Sequence, residues 1–375
     1  MQNFPFDYDM RLGDAGLSPK SLDSGTAKFD LMILMHEEGD ALKGVLEYNT
    51  DLFNEDSMQR LLQHFSCLLD NVSQDLKQSL AEIDLMTADE LQKIQSEWSG
   101  ITTEYPRDKS VHAVFEDVVK ENPDTVALEF EGQSITYAEL NKRADEIKTY
   151  LLNKDIGVND RVGLYTDRSP EAIASILGIL KTAASYVPLD PSYPAERIAY
   201  IIKDTDIELI LKGDSVSAED LSLAENCEVI DISGISIDAD DAAASTSNAS
   251  ANSAAYIMYT SGSTGQPKGS VIPHRAIVRL VKETDFVTLD ANQRILQYAP
   301  ISFDASTIEI WGALLNGGTL VIMKPGAATL EELGQTLIDQ KVTTLWLTSS
   351  LFSQMVDFQP DALTNLKQLL AGGDV

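Results

Sequence analysis

Residues Ala254–Gly269 read AAYIMYTSGSTGQPKG, an apolar run followed directly by a loop rich in glycine and hydroxyl side chains. The apolar half predicts a buried strand, so the loop is expected to leave the end of a sheet, where backbone N–H groups can converge on an anion. Glycines free the backbone to bend, and Lys268 adds one positive charge. The stretch therefore predicts a binding site for the phosphates of a nucleotide.

The candidate phosphate-binding residues are Thr260, Ser261, Gly262, Ser263, Thr264, Gly265 and Lys268. A mobile surface loop is the alternative, but flexibility alone does not account for a proline followed by a lysine at the end of the loop. The spacing also differs from the GxxxxGK[ST] pattern of P-loop NTPases, because the residue five positions after Gly262 is Pro267. The loop lacks the GxGxxG pattern of dinucleotide-binding folds as well.

Composition limits the partners that the chain can have. It carries 59 Asp and Glu against 28 Lys and Arg, a formal net charge of −31, which disfavours nucleic acid and anionic membranes. Cys67 and Cys227 show no metal-ligand spacing, so neither a disulfide framework nor a metal site is predicted, and a reducing compartment, the cytoplasm, fits. The N-terminal residues resemble neither a signal peptide nor a membrane span.

A chain of 375 residues is longer than one core usually carries, so at least two units are predicted. In the first unit, residues 28–35 and 42–48 flank a polar turn and predict an antiparallel hairpin. Apolar residues from Met58 to Val72 recur at helical spacing and predict an amphipathic helix. His36 and His64 are single histidines and are interpreted as structural.

The second unit is predicted to begin near Ser110, after a polar stretch that holds a short helix. Ser110, Thr136 and Ser169 each stand where a helix N-cap is expected, and Thr136 with Glu139 forms a capping box. Strand and helix patterns alternate from there onward, which predicts parallel sheets covered by helices. The small polar residues of Asp238–Ser253 interrupt this alternation and predict a surface loop.

Four blocks of the second unit, in this order, resemble the adenylation domains of nonribosomal peptide synthetases, which belong to the adenylate-forming superfamily. They are SITYAELNKRA (Ser134–Ala144), LKTAASYVPLDPSYPAERI (Leu180–Ile198), the phosphate loop and FDASTIEIWGALLNGG (Phe303–Gly318). The stretch Thr26–Leu69 is similar to the C-terminal end of condensation domains in the same synthetases. The HHxxxDG motif of those domains is absent from the sequence, so no condensation activity is implied.

The resemblance implies an α/β fold, the layered parallel-sheet N-terminal core of an adenylate-forming enzyme preceded by an α+β condensation-domain tail. The implied domains are 1–85, the C-terminal part of a condensation domain, 86–109, a linker, and 110–375, the N-terminal part of an AMP-binding adenylation domain. The family's catalytic residues lie in segments expected beyond Val375. No catalytic residue is therefore assigned, and the chain alone is expected to be inactive in adenylation.

Asp304 is the candidate anchor for an amino acid substrate. Because the substrate's carboxylate goes to ATP, its ammonium group needs an anion that holds it in place. From the residues alone, a helix N-cap is the favoured interpretation of Asp304, since Ala, Ser and Thr follow it. The resemblance implies the other role, because the Asp of this block pairs with the substrate's amino group in the family.

The resemblance also implies a side-chain pocket lined by Ala305, Ile308, Leu347, Leu370 and Gly372. The alternative is that these residues belong to the core, and it is strongest for Ile308 and Leu347. An apolar lining of this kind predicts a hydrophobic amino acid as the substrate.

The implied reaction is activation of an amino acid as its aminoacyl adenylate from ATP, with Mg²⁺ neutralising charge, for loading onto phosphopantetheine of a downstream carrier domain. The implied partners are the amino acid, the carrier domain and other modules of the same synthetase. A fatty-acid or aryl acid:CoA ligase is one alternative, since it shares the phosphate loop but needs no anion for an ammonium. A non-catalytic binding fragment is the other.

Overall fold

The computed structural model describes residues 10–17, 25–100, 103–221, 227–236, 249–260 and 267–373. The chain divides into two compact units, Met1–Thr102 and Thr103–Val375. The predicted domain boundaries at 85/86 and 109/110 stay predictions. Within the described ranges no helix has the length and apolarity that crossing a bilayer requires. Both cysteines are free thiols.

The first unit consists, in its described part, of hairpins and helices: β1 (Met10–Leu12), β2 (Ala15–Leu17), β3 (Leu31–Glu38), β4 (Ala41–Tyr48), α1 (Glu55–Gln74) and α2 (Ala88–Ser96). Strands β3 and β4 pair antiparallel, with Leu31 opposite Tyr48, as the sequence predicts. The predicted amphipathic helix corresponds to α1. His64 on α1 contacts Glu90 on α2 at 2.5 Å, which supports the structural interpretation of this histidine.

The second unit alternates helices and strands along the chain: α3 (Val111–Glu121), β5 (Val126–Phe130), β6 (Gln133–Thr136), α4 (Tyr137–Asn153), β7 (Arg161–Tyr165), α5 (Pro170–Lys181), β8 (Ser185–Leu189), α6 (Ala195–Asp204), β9 (Leu209–Lys212), β10 (Glu228–Asp231), β11 (Ala254–Thr260), β12 (Lys268–Pro273), α7 (His274–Val281), β13 (Arg294–Gln297), α8 (Ala305–Leu314), β14 (Thr319–Ile322), α9 (Leu330–Asp339), β15 (Thr344–Thr348), α10 (Ser349–Phe358), α11 (Pro360–Leu363) and β16 (Gln368–Gly372).

The strands form two six-stranded sheets. Sheet one has the order β10-β9-β7-β8-β11-β12, and sheet two has the order β16-β15-β13-β14-β5-β6. Neighbouring strands run parallel except at one edge of each sheet, where β11 pairs with β12 and β5 pairs with β6 antiparallel. The predicted α/β fold with parallel sheets is confirmed, whereas the two antiparallel edge strands were not predicted.

Helices cover the sheets in layers. The largest core joins α3, α4, α5, α7 and α8 to one face of each sheet, so these helices lie between the sheets. The other face of sheet one packs against α6, and the other face of sheet two packs against α9, α10 and α11. The sheets are thus buried on both faces, which is why their strands read as continuous apolar runs rather than alternating ones.

The helix starts follow the predicted capping residues. Ser110, Thr136 and Ser169 accept hydrogen bonds from backbone N–H groups at the N-termini of α3, α4 and α5. Thr136 and Glu139 form the complete reciprocal capping box. The predicted surface loop Asp238–Ser253 lies largely outside the described residues, apart from residues 249–253.

Candidate functional site

The phosphate loop joins two adjacent strands at the edge of sheet one. Thr260 is the last residue of β11, Lys268 is the first residue of β12, and the two are paired in register. Both side chains are exposed. The predicted launching strand is thus observed as β11, and the loop closes a hairpin whose second strand sequence reasoning missed. Ser261, Gly262, Ser263, Thr264 and Gly265 lie outside the described residues.

Contacts with aromatic side chains hold the exit of the loop. The Tyr200 hydroxyl donates a hydrogen bond to the Pro267 carbonyl at 3.3 Å. A Cβ added to Gly269 would stand 3.0 Å from the Tyr259 ring, so this position needs a glycine for the ring to pack against the backbone. The Tyr259 hydroxyl in turn donates to Asp204 on α6. These contacts fix the strand from which Lys268 projects.

A pocket of about 660 Å³ lies beside this hairpin, within the range usual for small-molecule sites. Tyr256 of β11 and Ile272 of β12 form one wall, and the remaining lining is mainly apolar and aromatic. Of the six predicted substrate contacts, five line this pocket: Asp304, Ala305, Ile308, Leu370 and Gly372. Residues from α8 and β16, far apart in sequence, are therefore brought together as the resemblance implied.

Asp304 immediately precedes α8, at the mouth of the pocket. Its carboxylate makes no hydrogen bond to the helix N-terminus, so the structure gives no support to the N-cap interpretation. The Phe303 carbonyl, not Asp304, accepts the hydrogen bond from the Ser306 hydroxyl at 2.7 Å. A negative charge at this helix end is favourable, and within the described part of the chain no cation pairs with it. The carboxylate is thus available to a ligand.

Leu347 does not line the pocket, so its predicted place there is wrong. It is fully buried in the core between sheet two and the helices α9 and α10. Its neighbour Trp346 lines the pocket instead, opposite Leu370 in the β15–β16 ladder. Successive residues of a strand face opposite sides of the sheet, so a one-residue error in the assignment exchanges a pocket residue for a core residue.

Trp346 sets the width of the pocket together with two phenylalanines. Its indole lies 6.0 Å, centroid to centroid, from the ring of Phe303, and Phe286 also lines the pocket. The polar groups deeper inside are engaged with each other, since the Tyr256 hydroxyl and Thr307 Oγ1 are 2.9 Å apart. The interior therefore suits an apolar side chain, with Asp304 as the charged group at the rim.

The pocket and Lys268 share one face of the β11–β12 hairpin. Lys268 and Ile272 are four residues apart on β12, and even spacing places them on the same face. At about 3.3 Å per residue they are separated by about 13 Å. Tyr256 and Thr260 stand opposite them on β11. One ligand could thus reach an apolar pocket at one end and a cation at the other.

A metal centre built from protein side chains is not found among the described residues, because they contain no group of three histidine, cysteine or acidic residues able to hold an ion. Mg²⁺ characteristically keeps its waters and binds through substrate phosphates, with only one or two carboxylates. The donor set is therefore compatible with magnesium that arrives as the ATP complex.

Comparison with known proteins assigns both parts of the chain. The family model of AMP-binding enzymes matches residues 115–375. The chain belongs to the AMP-binding enzyme family. The condensation-domain model matches residues 7–95, so a condensation-type segment precedes the AMP-binding part.

Curated relatives of the chain include peptide synthases. One protein of the linear gramicidin synthase of Brevibacillus parabrevis is 39% identical over 100% of this chain, which covers 5% of that protein. Gramicidin S synthase 2 of Aneurinibacillus migulanus is 36% identical over 96% of this chain and 8% of its own length. The chain thus spans less than a tenth of either relative.

Solved structures of adenylation proteins share the fold. The Klebsiella oxytoca NpsA N-terminal subdomain in complex with 3-hydroxybenzoyl-AMSN superposes with a TM-score of 0.66 at 29% identity, over 73% of this chain and 69% of that one. Holo-PA1221, an NRPS protein containing adenylation and PCP domains, reaches a TM-score of 0.65 at 32% identity, over 72% of this chain and 46% of its own.

Proposed function

We propose that the second unit binds ATP and a hydrophobic amino acid and supports formation of the aminoacyl adenylate. In this reaction the amino acid carboxylate attacks the α-phosphorus of ATP, the bond from that phosphorus to the bridging oxygen breaks, and pyrophosphate leaves. Lys268 and the loop would hold the phosphates, Asp304 the ammonium group, and the pocket the side chain. Magnesium bound to ATP would supply neutralisation of the phosphate charge.

The observation that carries this proposal is the unused carboxylate of Asp304 at the rim of an apolar pocket. An acid:CoA ligase would need no anion there, because its substrate has no ammonium group. A carboxylate beside such a pocket would instead repel a fatty acid or aryl acid carboxylate. The pocket therefore favours an amino acid over an acyl substrate without an amine.

The relatives support the biological setting. The similarity to peptide synthases and the preceding condensation-type segment favour a synthetase module as the context of this chain. We propose a phosphopantetheine-bearing carrier domain as the acceptor of the aminoacyl group, and the other modules of the synthetase as partners. The structure of an NRPS protein that contains both adenylation and PCP domains is in line with this pairing.

A binding panel tests the substrate class. Non-hydrolysable aminoacyl adenylate analogues with valine, leucine, phenylalanine, aspartate and lysine side chains are titrated calorimetrically into the chain. We expect the apolar members to bind at least about tenfold more tightly than the charged ones, since burying an unpaired charge costs several kcal/mol. Comparable binding of the aspartate or lysine analogue would contradict the proposal.

Trp346→Ala provides the matched variant for this panel. Removing the indole enlarges the pocket, so the preference is expected to shift from the smaller apolar side chains toward phenylalanine. Leu347→Ala is the control, since Leu347 faces the core and its loss should lower stability without changing the order of preference. An identical panel for wild type and Trp346→Ala would exclude Trp346 from the pocket wall.

A further inference from the structure

The segment Tyr298–Phe303 connects β13 to Asp304 and carries that side chain to the pocket. Three charged groups from other parts of the fold grip it: Arg168, Asp190 and Glu309. Arg168 follows β7 and Asp190 follows β8, both in sheet one, whereas the gripped segment leaves sheet two. These groups have no assigned part in substrate binding.

Arg168 holds the start of the segment. Its guanidinium donates to the Tyr298 carbonyl, and a second nitrogen donates to the Lys324 and Gly326 carbonyls at 2.8 and 3.1 Å. The planar fork of an arginine can satisfy several fixed carbonyls at once, which a lysine ammonium cannot do with the same geometry. Arg168 thereby joins the end of β7 to the segments that follow β13 and β14.

Asp190 and Glu309 hold the rest of the segment. The Ser302 hydroxyl donates to Asp190 Oδ2 at 2.5 Å, while the other carboxylate oxygen accepts from the Ser192 backbone N–H at 2.9 Å and from the Ser192 hydroxyl. Glu309 is buried on α8 and accepts from the Ala299 N–H at 3.1 Å. Burial raises the pKa of Glu309 to about 8, and its backbone N–H partners oppose that rise.

Buried charged groups are costly unless fully hydrogen-bonded, so three of them on one short segment indicate a demand for a fixed backbone position. Sheet one also carries the phosphate loop, at the end of β11. A grip from sheet one on the segment before Asp304 sets the distance between the amino acid anchor and the phosphates. Reacting groups must be held to within a fraction of an ångström for efficient attack.

We infer that Arg168, Asp190 and Glu309 are positioning residues that fix Asp304 relative to the phosphate loop. This inference rests on the proposed function of Asp304. It predicts that loosening the grip weakens binding of the amino acid part of the ligand and leaves ATP binding intact.

Two variants, Arg168→Gln and Asp190→Ala, test the inference, and Lys181→Gln is the matched control. Lys181 is also buried and paired, with Asp145 at 2.6 Å and Glu116 at 3.1 Å, but it does not touch the segment. Dissociation constants are measured for ATP and for the leucyl adenylate analogue, and hydrogen–deuterium exchange is followed in a peptide covering residues 298–306.

In both test variants we expect at least about tenfold weaker analogue binding, ATP binding within twofold of wild type, and faster exchange of the segment. Lys181→Gln should lower the melting temperature and leave both dissociation constants and the exchange of the segment unchanged. Equal losses for ATP and analogue, or unchanged analogue binding, would overturn the inference. Failure of the wild-type chain to bind the analogue would instead count against the proposed function, and the exchange rates would still decide whether the grip exists.

Discussion

Lys268 is the cation that the phosphate site requires at the level of single residues. It is exposed at the start of β12, and a charge-assisted contact to phosphate contributes about 1.5–3 kcal/mol. We expect Lys268→Ala to weaken ATP binding by about 10- to 150-fold, the range that corresponds to this energy. Calorimetric titration of the chain with Mg-ATP measures the change.

The control for this substitution is Lys324→Ala, which removes another exposed lysine far along the chain from the loop. It should leave ATP affinity unchanged. Because Lys268 has no ion-pair partner among the described residues, its loss should not destabilise the fold, and the melting temperature is expected to stay within about 2 °C of the wild-type value. Equal ATP affinity in the wild type and Lys268→Ala would rule out the assigned role.

Single residues also show where sequence reasoning reaches its limit. Asp304, Ala305 and Ile308 were placed correctly at the pocket because they belong to one contiguous block. Leu347 was placed wrongly, since a pattern of alternating apolar residues does not tell which face of a doubly covered strand meets the pocket. Arg168 could not be found at all, because its contact with Tyr298 spans 130 residues.

At the level of elements, the C-terminus of α9 ends in an arrangement that a glycine would favour. The Val342 N–H bonds to the Leu337 carbonyl and the Lys341 N–H to the Ile338 carbonyl, the two bonds of a Schellman motif. Lys341 has a φ of 49°, in the left-handed region that a side chain disfavours. Its side chain is exposed, so nothing is lost by removing it.

We therefore expect Lys341→Gly to raise the free energy of unfolding by about 0.5–1 kcal/mol. Urea denaturation monitored by circular dichroism measures the change, with Lys341→Ala as the control that keeps the Cβ and should give no gain. A glycine variant less stable than the alanine variant would contradict this assignment of the backbone strain.

Elements were the most predictable scale. Strand and helix alternation and the caps at Ser110, Thr136 and Ser169 are local signals, and each of these helices starts where the caps predict. The antiparallel edge strands were missed because pairing direction depends on which strand lies next to which, a non-local property. For β12, the glycine and proline beside Lys268 are typical of a loop and hide the start of the short strand.

For the second unit as a whole, two buried histidines link distant helices. The rings of His112 on α3 and His274 on α7 meet edge to face with centroids 5.5 Å apart, and His274 Nδ1 accepts from the Val111 N–H. Burial lowers the pKa of His112 to about 4, with Lys181 and Lys148 adding to the shift. Burial and the neighbouring His112 lower the pKa of His274 to about 3.

A histidine whose folded pKa is depressed contributes stability above its unfolded pKa of about 6.5, and loses it as pH falls toward the folded pKa. We expect the free energy of unfolding to drop by about 1–2 kcal/mol per histidine between pH 7 and pH 5. Glu309, with a raised pKa of about 8, acts in the opposite direction, since its contribution is lost as pH rises.

Comparing variants isolates the histidine contribution from that of Glu309. Urea unfolding at pH 7 and pH 5 is measured for the wild type and for the His112→Gln and His274→Gln variants. Each variant is expected to be less stable at pH 7 but to lose about 1–2 kcal/mol less on acidification than the wild type. The same pH-dependence in all three proteins would contradict the link between these histidines and acid sensitivity.

The central claim is that Asp304 holds the ammonium group of an amino acid whose side chain fills the adjacent pocket. It is tested by four dissociation constants, for the leucyl adenylate analogue and its desamino counterpart, each with the wild-type chain and with Asp304→Asn. The account predicts that the wild type prefers the amine-bearing ligand by at least about tenfold and that Asp304→Asn abolishes this preference without changing the affinity for the desamino ligand. An equal preference for the amine in both proteins would contradict it.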